Sequence, residues 1–185
     1  PWLEPELRAV VARNFPKLFG SGAGGGERAQ QALARRTAEL RLLEPLTRTA
    51  SPRAAEISGR TYVAEPNADG VQSLRLTFRA GEALFELTDG KGAHKVRVGL
   101  RDWIEGETSI SGAPLHHGYE PDRLAVVAGG MWKAPDRFEM RWQFVESSFR
   151  DTVVLRFEDD RLTFDRSVNV NSGGVTRPTV TARRV

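Results

Sequence analysis

The sequence predicts a mainly β protein: an antiparallel barrel of about eight strands over residues 57–185, preceded by an α-helical N-terminal segment over residues 1–56. Three observations carry this. Apolar residues recur at three-to-four spacing before Ile57 and at every second position after it, the difference between a helix stripe and a half-buried strand. Turn residues break the second part at short intervals. Hardly any helical pattern lies between the strand patterns, and short connections imply antiparallel neighbours.

The elements follow in order. Glu4-Pro5-Glu6 has the proline and acids of a helix start, and Leu3, Leu7, Val10, Val11 and Phe15 form one apolar stripe, so a helix is expected over about 4–15. Pro16 and the glycine-rich loop 20–26 end it, because such a run has no side chains to pack and a high backbone entropy. The loop is a flexible connection; no Gly-Lys-Ser/Thr follows it, as a phosphate loop requires. A second helix fits about 27–46, with Leu33, Ala34, Leu40 and Leu43 apolar, and Thr47 to Arg53 reads as a linker.

Strand patterns then succeed one another. Leu74, Leu76 and Phe78 alternate with Arg75 and Thr77; Ala83, Phe85 and Leu87 alternate with Leu84 and Glu86; Val96, Val98 and Leu100 follow. The clearest strand is 138–144, apolar at Phe138, Met140, Trp142 and Phe144 and polar between them. Val153, Leu155 and Phe157 repeat the pattern, then Leu162 and Phe164. Asp69-Gly70, Ala80-Gly81, Asp89-Gly90, Ala134-Pro135-Asp136 and Glu158-Asp159-Asp160 supply the turns. A sheet of this length must curl or close to hide its edges, with a two-sheet sandwich as the alternative. The inward candidates Phe78, Phe85, Met140, Trp142, Phe144, Phe157 and Phe164 are bulky, which favours a filled barrel over a roomy cup.

The composition narrows the function classes. The chain has 185 residues, 39% of them hydrophobic and 28% charged, the profile of a soluble globular chain with one domain or one domain and an appendage. No apolar run is long enough to span a bilayer. The opening Pro1-Trp2-Leu3-Glu4 has no signal pattern, so localisation stays open. The absence of cysteine excludes disulfides, thiol catalysis and thiolate metal sites. The net charge of +3 lies wholly in residues 1–56, interleaved with acids such as Glu27 and Glu39. Nucleic-acid binding needs a contiguous basic surface, and the longest clusters are Arg35-Arg36 and Arg183-Arg184, so no nucleic-acid partner is expected.

A search for chemistry finds no constellation. None of the ten serines has a lysine three residues on, and no Gly-x-Ser-x-Gly elbow occurs, so no catalytic residue is predicted and enzyme activity is left open. No metal or cofactor is predicted either. Adjacent His116 and His117 point apart in an extended chain and read as part of a polar loop between Pro114 and Pro121, while His94 reads as a packing or surface residue. Glu146 continues the inward parity of strand 138–144, as a structural acid at a barrel rim, with Arg141 and Arg150 as charged neighbours. Trp142 suits the core; Trp103 and Trp132 follow loop-like segments and suit a barrel mouth. The candidate pocket or rim residues are therefore Trp103, His116, His117, Trp132, Arg141, Trp142 and Glu146.

Residues 55–185 carry a further pattern: Ile57-Ser58-Gly59-Arg60-Thr61-Tyr62, Glu65-Pro66-Asn67, the strand 73–78, Ala128-Gly129-Gly130-Met131-Trp132, Phe138 to Glu146 with Phe149 and Asp151-Thr152, Phe157 to Phe164, and Asn169-Val170-Asn171. This resembles the carboxy-terminal β-domain of serine hydrolases of the β-lactamase class C-like, penicillin-binding-protein-like family. In that family the catalytic groups lie in a preceding domain, and no catalytic residue carries over. His116-His117-Gly118 and Ser167-Val168-Asn169 fit two of its short motifs only formally.

The resemblance implies a non-catalytic accessory domain that packs on an N-terminal serine hydrolase catalytic domain or self-associates through the helical segment. The alternative is a free-standing, lipocalin-like barrel that binds a small apolar ligand.

Overall fold

The computed structural model describes residues 25–39 and 43–185. The chain divides between Glu44 and Pro45, and each part is described by itself. The first contributes helix α1 (Gly25–Glu39). The expected helix over 4–15 lies outside the described residues. The second expected helix is shorter than its apolar pattern: it begins within the glycine run and has ended before residues 43–50, which carry no helix. Leu33, its central apolar residue, is 67% exposed.

The second part begins with a segment read in the sequence as a linker, and here the structure differs. Residues 45–53 are pinned along the sheet by named bonds. The Trp132 backbone N–H donates to Arg48 O at 2.9 Å, Ser51 Oγ to Pro135 O at 2.7 Å, and Arg53 Nη1 to Phe157 O at 2.7 Å. A backbone so bonded is a strap, and its polar composition only reflects its outer face. It leads into the short helix α2 (Ala54–Ile57), whose Ile57 enters the core.

Ten strands follow: β1 (Thr61–Ala64), β2 (Ser73–Arg79), β3 (Glu82–Asp89), β4 (Gly92–Gly99), β5 (Ile104–Thr108), β6 (Leu124–Ala134), β7 (Arg137–Phe144), β8 (Arg150–Glu158), β9 (Arg161–Val168) and β10 (Val180–Arg184). Their order is β4-β3-β2-β1-β10-β9-β8-β7-β6-β5, with a further contact between β4 and β6. That contact, Gly99 opposite Gly129, closes the ring through nine strands, while β5 continues the seam along the first half of β6. The fold is therefore a closed, lipocalin-like barrel, slightly larger than expected, and the sandwich alternative falls.

Glycines make the seam possible. A Cβ on Gly99 would lie 1.7 Å from the Asp102 carbonyl oxygen, and one on Gly129 would lie 2.8 Å from the Trp103 ring. No side chain fits there, so the Gly129-Gly130 pair marks where two strand backbones meet.

The alternation read from the sequence is the burial pattern observed. Phe138, Met140, Trp142 and Phe144 are all buried, with the residues between them partly exposed. The core is aromatic: Phe78 stacks on Trp132 at 5.5 Å and meets Phe138 edge-on, and Phe85 stacks on Phe164 at 5.9 Å. The middle of the barrel is thus filled, as the bulk of its inward residues requires.

Candidate functional site

The β1–β2, β3–β4, β5–β6, β7–β8 and β9–β10 connections gather at one end of the barrel. The longest, residues 109–123, carries a single 3-10 turn over Ala113–His116 and forms a strap there. Its Ile110 and Leu115 are buried, which gives it an apolar underside.

Polar tethers hold the strap. Ser109 Oγ and His94 Nδ1 are 2.9 Å apart, and His94 Nε2 is 2.9 Å from Asp89 Oδ1. Since a carboxylate only accepts, Nε2 donates to Asp89, while Nδ1 and the Ser109 hydroxyl share the second bond. Burial pushes the Asp89 carboxyl up, but the hydrogen bonds from His94 and from the Lys91 and Gly92 backbone outweigh it and hold the group below its ordinary value. Lys91 Nζ reaches Glu120 at 2.9 Å, and Ser111 Oγ donates to the same carboxylate at 2.5 Å. Asn171 Nδ2 donates to Pro114 O at 2.8 Å.

A buried ionic network lies behind the strap. Asp151, on the inward parity of Val153, Leu155 and Phe157, has no solvent exposure. Its Oδ1 accepts from His116 Nε2 at 2.7 Å, and its Oδ2 accepts from Arg166 Nε at 2.7 Å. Arg166 Nη1 donates to Ser111 O at 2.7 Å, and its guanidinium carbon lies 5.5 Å from the centre of the Trp142 ring. The His116 ring stacks on Phe149 at 4.4 Å and meets Phe144 edge-on. Its Nδ1 packs against Gly112, where a Cβ would come within 1.9 Å.

Beneath the strap lies a cavity of about 290 Å³. Val71, Leu87, Ile110, Leu115 and Phe164 lie in its apolar wall; Asp69, Asp89, Lys91, Glu120, Arg166 and Arg177 supply the charged groups. Arg177 is clamped to Asp69, a contact that raises the guanidinium above its ordinary value.

The seven residues singled out in the sequence are placed as follows. Trp142 and Trp132 are buried in the core. Trp103 packs across Gly129 at the seam. His116 is buried in the Asp151 network, whereas His117 is exposed, with a left-handed φ of 54°. Arg141 lies beside Glu139, Nη2 to Oε1 3.3 Å. Glu146 is exposed, because β7 ends at Phe144 and the turn that follows breaks the parity. The structure brings His116 and Trp142 together, one on each side of the Asp151–Arg166 pair. None of the seven lines the cavity.

The sequence reading passed over Asp151 and Arg166. A signal was present: both sit on the inward parity of apolar strands, and opposite charges at inward positions indicate a buried pair. Among the described residues no group of three or more His, Cys, Asp or Glu could hold a metal ion, and no helix is long and apolar enough to cross a membrane.

No protein-family model matches the chain, and no curated protein matches it. Solved structures similar to it include the fatty-acid-binding protein of Drosophila melanogaster brain tissue, at 11% identity and a TM-score of 0.48, covering 70% of this chain and 99% of that one. Others are apo lipid binding protein 8 of Caenorhabditis elegans, at 10% and 0.48, covering 72% and 98%, and the fatty-acid-binding protein of Manduca sexta, at 13% and 0.45, covering 69% and 98%. The resemblance to a β-lactamase-like hydrolase domain is thereby corrected: no family model supports it, and these similar solved structures are fatty-acid- and lipid-binding proteins. A hydrolase catalytic domain as partner loses its support with it. At these identities and TM-scores the chemistry has to be read from the chain's own residues.

Proposed function

We propose that the barrel binds a small, largely apolar molecule in the cavity beneath the strap. The observation that carries this reading is the cavity itself: a space of about 290 Å³, walled by seven apolar residues and edged by six charged ones. Ligand pockets combine an apolar lining with a small number of placed polar groups, in volumes of about 300–1,000 Å³. This one lies at the lower edge of that range, because Phe85, Trp142 and Phe164 fill the barrel below it. The occupant is therefore compact, or has a short chain that stops at the Phe164 ring.

The test is a titration with N-phenyl-1-naphthylamine, an uncharged apolar fluorophore. Saturable emission enhancement at one probe per chain is expected, and it should vanish in Leu87→Trp, which fills the cavity from its wall. A linear, unsaturated rise, or saturation untouched by that substitution, would overturn the reading.

A further inference from the structure

The charges around the cavity carry a statement about its occupant, one that rests on the ligand-binding reading above. We infer that the ligand's polar end is uncharged, an alcohol, ketone or amide, and that carboxylates are discriminated against.

The three cations bordering the cavity are all committed. Lys91 is paired with Glu120 at 2.9 Å, Arg177 is clamped to Asp69, and Arg166 lies 2.6 Å from Asp151. Asp89 adds a fourth carboxylate, hydrogen-bonded to His94. A ligand carboxylate approaching Arg166 would not meet a free cation. It would come close to the fully buried Asp151 carboxylate, where like charges repel strongly because little water screens them. It would also surrender its own hydration without a counter-charge in return. An ammonium group would also surrender its hydration, with Lys91, Arg166 and Arg177 bordering the space it enters.

An uncharged group avoids both penalties. It meets no like charge, and it gives up less hydration than an ion does on entering the cavity.

Displacement of bound N-phenyl-1-naphthylamine by matched eight-carbon ligands at neutral pH tests this. 1-Octanol should displace the probe at a concentration at least about tenfold lower than octanoate or octylammonium. Asp151→Asn, which leaves Arg166 without its counter-charge, should narrow or reverse the gap between octanol and octanoate. Asp69→Asn at the more exposed rim should shift it in the same direction should the buried substitution prevent folding. Octanoate or octylammonium equal to or tighter than octanol overturns the inference and leaves the binding reading intact, as does a bound probe that octanol cannot displace. A probe that never saturates overturns the binding reading itself.

Discussion

His116 Nε2 lies 2.7 Å from Asp151 Oδ1, with the two side chains 1% and 0% exposed. The pair joins the strap to strand β8, and through Asp151 it fixes Arg166 at the edge of the cavity. Asp151 thus has two buried partners, and its loss would strand both. Asp151→Ala should cost about 3–5 kcal/mol, the range for breaking a buried pair by deleting one member. His116→Phe should cost less, since Asp151 keeps Arg166 and the new ring keeps the stacking on Phe149. Urea midpoints of the two variants check the order; a larger cost for His116→Phe would contradict it.

Gly112 bears on the strap's fit. With a Cβ placed 1.9 Å from His116 Nδ1, Gly112→Ala must push the His116 ring or the 3-10 turn away from the barrel end. Probe affinity should fall while the far-UV circular dichroism of the barrel stays unchanged. Unaltered affinity would mean that the strap tolerates the shift and does not shape the cavity.

The aromatic filling of the barrel should dominate its stability. Phe85 is fully buried and touches both Trp142 and Phe164. Phe85→Ala should cost about 3–5 kcal/mol, through lost transfer energy and the void left behind. The same variant should also enlarge the ligand space and admit longer chains. Displacement by 1-dodecanol, tested against the parent, reads this second effect.

Acid should loosen the β2–β4 side of the barrel. The hydrogen bond from Arg75 is the largest influence on Glu86 and holds its carboxyl below the ordinary 4.5. At Asp89, burial pushes up but the bonds from His94 and the backbone win, leaving it below 3.8. A carboxylate depressed in the folded state contributes its full stabilisation above the unfolded value and loses it as pH falls through the folded value. Stability should therefore drop as pH goes below about 4.5 and keep dropping below the folded values. Glu86→Gln should flatten the upper part of that fall in urea midpoints taken from pH 6 to pH 2.5.

Much of the barrel is legible in the sequence because strand burial is written locally. Phe138, Met140, Trp142 and Phe144 alternate with polar residues whatever the rest of the chain does. Closure is not local. It depends on Gly99 meeting Gly129 across the ring, and nothing near either residue announces the other. Glu146 shows the limit of parity: one turn after Phe144 sends it to the surface. The strap reads as a polar loop because its two apolar anchors, Ile110 and Leu115, are isolated among Ser, Gly, Pro and His. The Asp151–Arg166 pair was readable in principle from inward parity on β8 and β9, but only once those strands are known to be neighbours. In the apolar pattern of 27–46, α1 ends early, since a stripe permits a helix without fixing its length.

The most direct measurement is a methyl-resolved NMR titration with N-phenyl-1-naphthylamine. Shifts at Val71, Leu87, Ile110 and Leu115, with Val63 and Val185 on the outer surface unmoved, are what a ligand beneath the strap produces. Shifts confined to exposed methyls, or none at all at saturating probe, would contradict the account.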